Sequence, residues 1–302
     1  MNLQFIVDGL LTGSMIGLGA IGITLACSIL RFSNFAHGDL ISWGAYLSLT
    51  IVGVIGALVG KTAPIGALSF GWPLIVAVIV AAGLTGLLAV VLDAVLFARL
   101  RQKGQAIIVV MASFGASMAL RNILEFIYTS RPAYFNRAIQ IAIPVGFGIR
   151  ITPDQIALLC VTAVVVAGSY FLLTRTQTGR SMQAVSQNAA LAQVAGIDIR
   201  KIVRFTWVLG GALACLAGVM IGILVQIRPL MGFDMLLPLF AAAILGGIGS
   251  LPGAVLGGII IGVAEAAAVQ FVGAEWRAAV SFLILISVLL IRPIGLFGVA
   301  ER

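Results

Sequence analysis

The sequence predicts an all-α polytopic membrane protein with eight or nine transmembrane helices, one of them broken or re-entrant, and a short helix lying outside the bilayer. Three observations carry this. Hydrophobic residues make up 61% of the 302 and charged residues only 9%, with a mean hydropathy of +1.18, a composition outside the range of soluble domains. The apolar residues gather into segments long enough to cross about 30 Å of hydrocarbon. The longest polar interruption, RTQTGRSMQAVSQNAALAQVAGIDIRKIVR from Arg175 to Arg204, carries five cations against the single anion Asp198. The whole chain, 1–302, reads as one transmembrane domain.

In chain order the apolar segments fall at about 5–30, 40–60, 72–97, 105–128, 154–174, 203–225, 236–249, 253–273 and 276–291. The first has no Lys or Arg before Arg31, so it lacks the basic region of a cleavable signal and is read as a retained span. Between the first and second lies RFSNFAHGDLISWGAY, which places Ser33, Asn34, His37 and Asp39 within seven residues. Polar groups at membrane depth need partners or a water-filled path, and they mark a functional site. Gly38 and Gly44 would permit an unwound backbone whose amides face a zwitterionic solute. The plainer alternative is a cytoplasmic turn in which Asn34 caps the next helix and His37 is solvated. His37 is the only histidine, and Asp39 two residues on is a poor second ligand, so a metal site is not expected.

The second segment ends in Gly56-Ala-Leu-Val-Gly60-Lys61-Thr62, which has three residues where a phosphate-binding P-loop needs four before its Gly-Lys-Thr. The third ends at Asp93, expected to reach outward, and the basic loop Arg99–Lys103. In the fourth, Arg121 and Glu125 stand four apart on one helix and are expected to pair. The connection Thr129–Pro153, with Pro132, Pro144 and Pro153, is expected to form an external platform. After the fifth segment, Ser181 to Val194 places Met182, Val185, Ala189 and Ala192 at three- and four-residue steps, with Gln183, Ser186, Gln187, Asn188 and Gln193 around the rest of the turn. That pattern predicts one short helix with a small-residue face, stopped by Gly196 and able to dock into a groove of another protein. The seventh segment is short and broken by glycine. The eighth carries Glu265 in GVAEAAAVQF, facing either a subunit partner or a pathway. GxxxG pairs at Gly13–Gly17, Gly218–Gly222, Gly253–Gly257 and Gly258–Gly262 predict close helix packing.

Charge orients the chain. With the Arg175–Arg204 loop inside, eleven of the eighteen cations (31, 99, 101, 103, 175, 180, 200, 201, 204, 292, 302) fall on the cytoplasmic side, which favours an outer N-terminus and a cytoplasmic C-terminus. The net charge of +8 does not indicate nucleic acid, because no basic run is interleaved with aromatics. Cys27, Cys160 and Cys215 are isolated in apolar stretches and read as packing residues. With one histidine and no nucleophile motif, catalysis within this chain is not expected.

The stretch Ile29–Tyr46 with NFAHGD and WGAY, the loop Gly179-Arg180-Ser181-Met182-Gln183-Ala184 with Asn188 and Gly196-Ile197, the segment ILGGIGSLPGAVLGG at Ile244–Gly258, and the closing Arg292-Pro293-Ile294-Gly295-Leu296-Phe297-Gly298 together resemble the branched-chain amino acid permease family of bacterial ABC importers, in its LivH-type branch. The resemblance implies an inner-membrane permease that pairs with a second, related permease (LivM-type), two cytoplasmic ATPases and a periplasmic solute-binding protein, amid membrane lipid. ATP would be bound by the ATPases and no cofactor by this chain. It further implies that Gly179–Ile197 is a coupling helix, with Gly179, Arg180, Met182, Ala184, Val185, Asn188, Ala189, Ala192 and Gly196 facing an ATPase. Ser33, Asn34, His37, Gly38, Asp39 and Gly44 then border the translocation path, with Glu265 a further candidate. Gln183 departs from the pattern, standing where many relatives carry a basic residue. An apolar lining with a few amides suits leucine, isoleucine or valine, and also urea or short amides. A stand-alone channel or proton-coupled carrier is the alternative of another class, with Asp39 and Glu265 as its acidic residues.

Overall fold

The computed structural model describes residues 3–60, 63–101, 105–136, 140–146 and 148–298; Lys61 and Thr62 of the P-loop look-alike lie outside them. Among the described residues, eight helices are long and apolar enough to cross a membrane. They begin with α1 (Gln4–Leu30) and α2 (Ala36–Val59). Next α3 (Trp72–Leu92) runs through a π-helical turn into α4 (Ala98–Arg101) as one span of 30 residues. After α5 (Ala106–Tyr128) comes the connection expected to face outward, where β1 (Ile143–Gly146) and β2 (Ile149–Ile151) form an antiparallel hairpin. Then come α6 (Pro153–Arg175), the short α7 (Gln177–Gln187) and α8 (Ala189–Val194), and the long α9 (Ile199–Leu224). The chain closes with α10 (Met231–Gly246), α11 (Leu251–Phe271) and, after a 3₁₀ turn, α12 (Arg277–Ile291).

Local chemistry sets several of these boundaries. Thr152 and Gln155 form a capping box that opens α6, with Pro153 at its first position. Thr176, Asn188, Asp198 and Ser250 cap α7, α8, α9 and α11 through their side-chain oxygens. The helix expected over Ser181–Val194 is therefore two. Asn188 takes an extended conformation (φ −151°, ψ 102°) and its carboxamide oxygen accepts from Leu191 N at 3.1 Å, starting a new helix where periodicity alone predicts continuation.

At the centre stands α1, 83% buried along its apolar stretch, whereas the final span is 6% buried along its own and is peripheral. Glycines allow this. A methyl group on Gly13 would lie 2.7 Å from Ile259 Cα, and one on Gly258 would lie 2.6 Å from Gly17 Cα, so the Gly13–Gly17 and Gly258–Gly262 pairs interlock α1 with α11 backbone to backbone. Gly211 meets Gly86 in the same way where α9 crosses α3. The seventh apolar segment, α10, has 16 residues with Pro238 inside it, about 24 Å of helix. It starts against the first turns of α2, where Gly232 N–H donates to Ser42 Oγ at 3.0 Å and Ser42 donates to the Pro229 carbonyl at 2.9 Å.

Candidate functional site

The chain between α1 and α2 re-enters the bundle. After Leu30, Arg31 adopts a left-handed conformation (φ 56°), and α2 begins beside Gly22, whose added methyl would lie 2.6 Å from His37 Cε1. Gly22 precedes the end of α1 by eight residues, so α2 starts about 12 Å inside that end. Ser33 lies at the rim of a groove beneath this point. Asn34 is 1% exposed; its oxygen accepts from Ala36 N at 3.1 Å while its Nδ2 has no hydrogen-bond partner among the described residues. Phe35 N–H donates to Ser113 Oγ of α5 at 3.2 Å. His37 is buried too, its Nε2 likewise without a partner among the described residues. Gly38 packs on the Gly232 carbonyl and Leu236, and Gly44 on the backbone of Cys215. These positions are tight helix contacts rather than unwound backbone.

Two charged residues of separate segments meet at this re-entrant start. Arg121 of α5 pairs with Asp39 of α2, not with Glu125: Arg121 Nε donates to Asp39 Oδ1 at 3.5 Å and Nη2 to Ser117 Oγ at 3.3 Å, while Ser117 donates to Asp39 Oδ2. The Phe233 ring covers the guanidinium, its centroid 4.1 Å from Cζ. Asp39 is fully buried and the Arg121 side chain 16% exposed. The i,i+4 expectation gives way because a fully desolvated carboxylate across the helix contact needs the cation more than a half-exposed Glu125 does. Ser113, Ser117 and Arg121 stand at four-residue steps. This polar stripe in an apolar helix is the signal by which sequence reading could have found α5 as the partner of Asp39.

Two other intramembrane charges, Glu265 and Asp93, also find partners within the chain. Glu265, expected from the sequence to face either a subunit partner or a pathway, accepts from Arg277 Nε at 2.7 Å and Ser281 Oγ at 2.5 Å of the last helix. It lines a recess of about 470 Å³ with Gln4, Asp8 and Thr12. Asp93, expected to reach outward, is buried in the π-turn and pairs with Arg101 at 2.6 Å.

In the loop after α6, Gly179 packs on the backbone of Leu172 and Leu173, folding α7 against the end of α6. Met182, Val185 and Ala192, three of the four residues of the expected docking face, are buried in the protein's own core. Arg180, Asn188, Ala190 and Gly196 are exposed, as are Leu191 (67%) and Val194 (88%); Ala184 and Ala189 are half-buried. The surface open to a partner is thus the opposite face of α8.

Four sequence stretches far apart in the chain converge at this end of the bundle. Leu296 N donates to Leu245 O at 2.8 Å and Phe297 N to Gly246 O at 3.1 Å, laying the closing segment along the α10–α11 turn. That turn, the end of α1 with Arg31 and Ser33, and α7 through Gln183 and Gln187 line a groove of about 1030 Å³. In comparison with known proteins, residues 5–289 fit the family described as branched-chain amino acid transport system, permease component. The chain belongs to this permease family. Relatives in the family include the high-affinity branched-chain amino acid transport system permease LivH of Escherichia coli, 31% identical over 99% of this chain and 96% of that one. BraD of Pseudomonas aeruginosa, similarly named, is 33% identical over the same shares, and the probable LivH of Methanocaldococcus jannaschii is 29% identical over 98% and 93%. No solved structure is a significant match. As a member of the family the chain is a multi-pass membrane permease subunit, not itself an enzyme.

Proposed function

We propose that this chain is the permease subunit of an ATP-driven importer that moves branched-chain amino acids across the bacterial inner membrane. The observation that carries the reading is the similarity of 31–33% over 99% of the chain to permeases named for that transport. The names of these relatives favour branched-chain amino acids over urea or short amides. The excess of cations on one set of loops favours an outer N-terminus and a cytoplasmic C-terminus.

In this reading a second, LivM-type permease completes the membrane unit, two ATPases bind ATP beneath it, and a periplasmic solute-binding protein delivers the substrate. The exposed side of α7 and α8, with Arg180, Leu191 and Val194, is the surface that would meet an ATPase, and the buried Met182, Val185 and Ala192 would pass its movement to α6 and α9. Closure of the ATPases on ATP would then rock the spans between outward- and inward-open states. The test is purification of the tagged subunit from its native membrane in mild detergent. Two ATPases, a second permease and ATP hydrolysis stimulated by a leucine-loaded binding protein are expected; a lone chain with no ATPase activity would overturn the importer reading.

A further inference from the structure

Arg121 sits seven residues before the end of α5, about 10 Å inside that end. A charged side chain near a helix end ordinarily extends to the headgroup region. Arg121 turns inward instead, held by Asp39 and Ser117. Its two described donations use Nε and Nη2, and the side chain keeps 16% exposure. The surface around it is apolar and aromatic: Phe114 is 44%, Met118 50% and Phe233 37% exposed, while Phe35 bridges Phe114 and Phe240 with ring centroids 6.2 and 5.3 Å away. A guanidinium open to hydrocarbon at this depth would be strongly unfavourable, so this face meets water or another subunit. A cation with spare planar donors, bordered by Phe and Met side chains, matches a small molecule that carries a carboxylate on an aliphatic body.

We propose that Arg121 is a substrate-binding residue that receives the carboxylate of the transported amino acid on the face formed by α2, α5 and α10. Asp39 holds the guanidinium in place and balances its charge when no substrate is present, and Phe114, Met118 and Phe233 accommodate the aliphatic side chain. The inference rests on the amino-acid reading above. It accounts for a buried pair that packing alone does not require, because an apolar pair of similar volume would fill the same space at no desolvation cost.

The test uses the full importer in proteoliposomes with its binding protein and radiolabelled leucine. Arg121→Gln strands Asp39 and is expected to lower assembly, so the informative variant is the double change Asp39→Asn with Arg121→Gln, which removes both charges and keeps neutral hydrogen-bonding groups. Assembly of the double variant, measured by co-purification, is expected to return to within about twofold of wild type while leucine uptake stays at least tenfold down. Arg121→Lys with Asp39 intact is expected to recover part of the uptake, because it keeps a cation without the planar fork. If the neutral double variant transports leucine like the wild type, the pair is structural and the inference falls while the amino-acid reading stands. If the wild-type importer carries no branched-chain amino acid, that reading fails and the inference with it.

Discussion

Buried charges here differ in what each partner can do alone. Glu265 is 1% exposed and Arg277 43% exposed. Arg277→Ala therefore leaves a carboxylate in the core without its cation, whereas Glu265→Gln leaves an arginine that water can reach and keeps an acceptor for Ser281. Thermal unfolding in detergent is expected to show the arginine change as the more damaging, by about 2 kcal/mol or more; equal effects would mean that water already reaches Glu265. Asn34 gives a finer case. Its oxygen receives the Ala36 N–H at the start of α2, so Asn34→Ser should be milder than Asn34→Leu by about 1 kcal/mol. Uptake that falls further than stability in Asn34→Ser would point to the unpartnered amide nitrogen acting in transport. At this scale the residue types were legible in the sequence and their partners were not. Arg121 and Glu125 had the spacing of an ion pair, but the deciding group, Asp39, comes from another helix 82 residues away.

Among the elements, α7 and α8 illustrate what periodicity conveys and what it omits. The three- and four-residue spacing of Met182, Val185, Ala189 and Ala192 predicts one small-residue face, and three of the four are buried. Periodicity does not say what covers that face, and here the end of α6 and the start of α9 do. Leu191→Glu combined with Val194→Glu should therefore leave membrane insertion and thermal stability near wild type and reduce ATP-driven uptake at least fivefold, because both side chains are largely exposed. Ala192→Glu, at a position 4% exposed, should lose folded protein instead. Uptake unaffected by the double change would overturn the proposed ATPase contact on this face. The break at Asn188 was hidden for a related reason: Asn is tolerated inside a short amphipathic pattern, and only its extended backbone and the bond to Leu191 N make it a cap.

Across the whole molecule, stability follows from where glycines let backbones touch. Gly13→Ala puts a methyl group 2.7 Å from Ile259 Cα, a contact that requires the central helix and α11 to separate, whereas Gly83 on α3 has nothing within 4 Å of the added carbon. Gly13→Ala is expected to lower the detergent melting temperature by several degrees and Gly83→Ala to leave it unchanged or raise it slightly; similar responses would refute the interlock as the organising contact. The sequence by itself determined the membrane class, the position of each span to within a few residues, the short seventh segment, and the amphipathic loop, because hydropathy and helix periodicity are sums over neighbours in the chain. Only the tertiary structure decided that α2 begins inside the bundle, that Asp39 faces Arg121, and that the four conspicuous stretches share one end. Those outcomes depend on which helices approach closely enough for backbone contact, and that is set by shape complementarity between segments as far apart as Gly13 and Ile259, which no local pattern encodes.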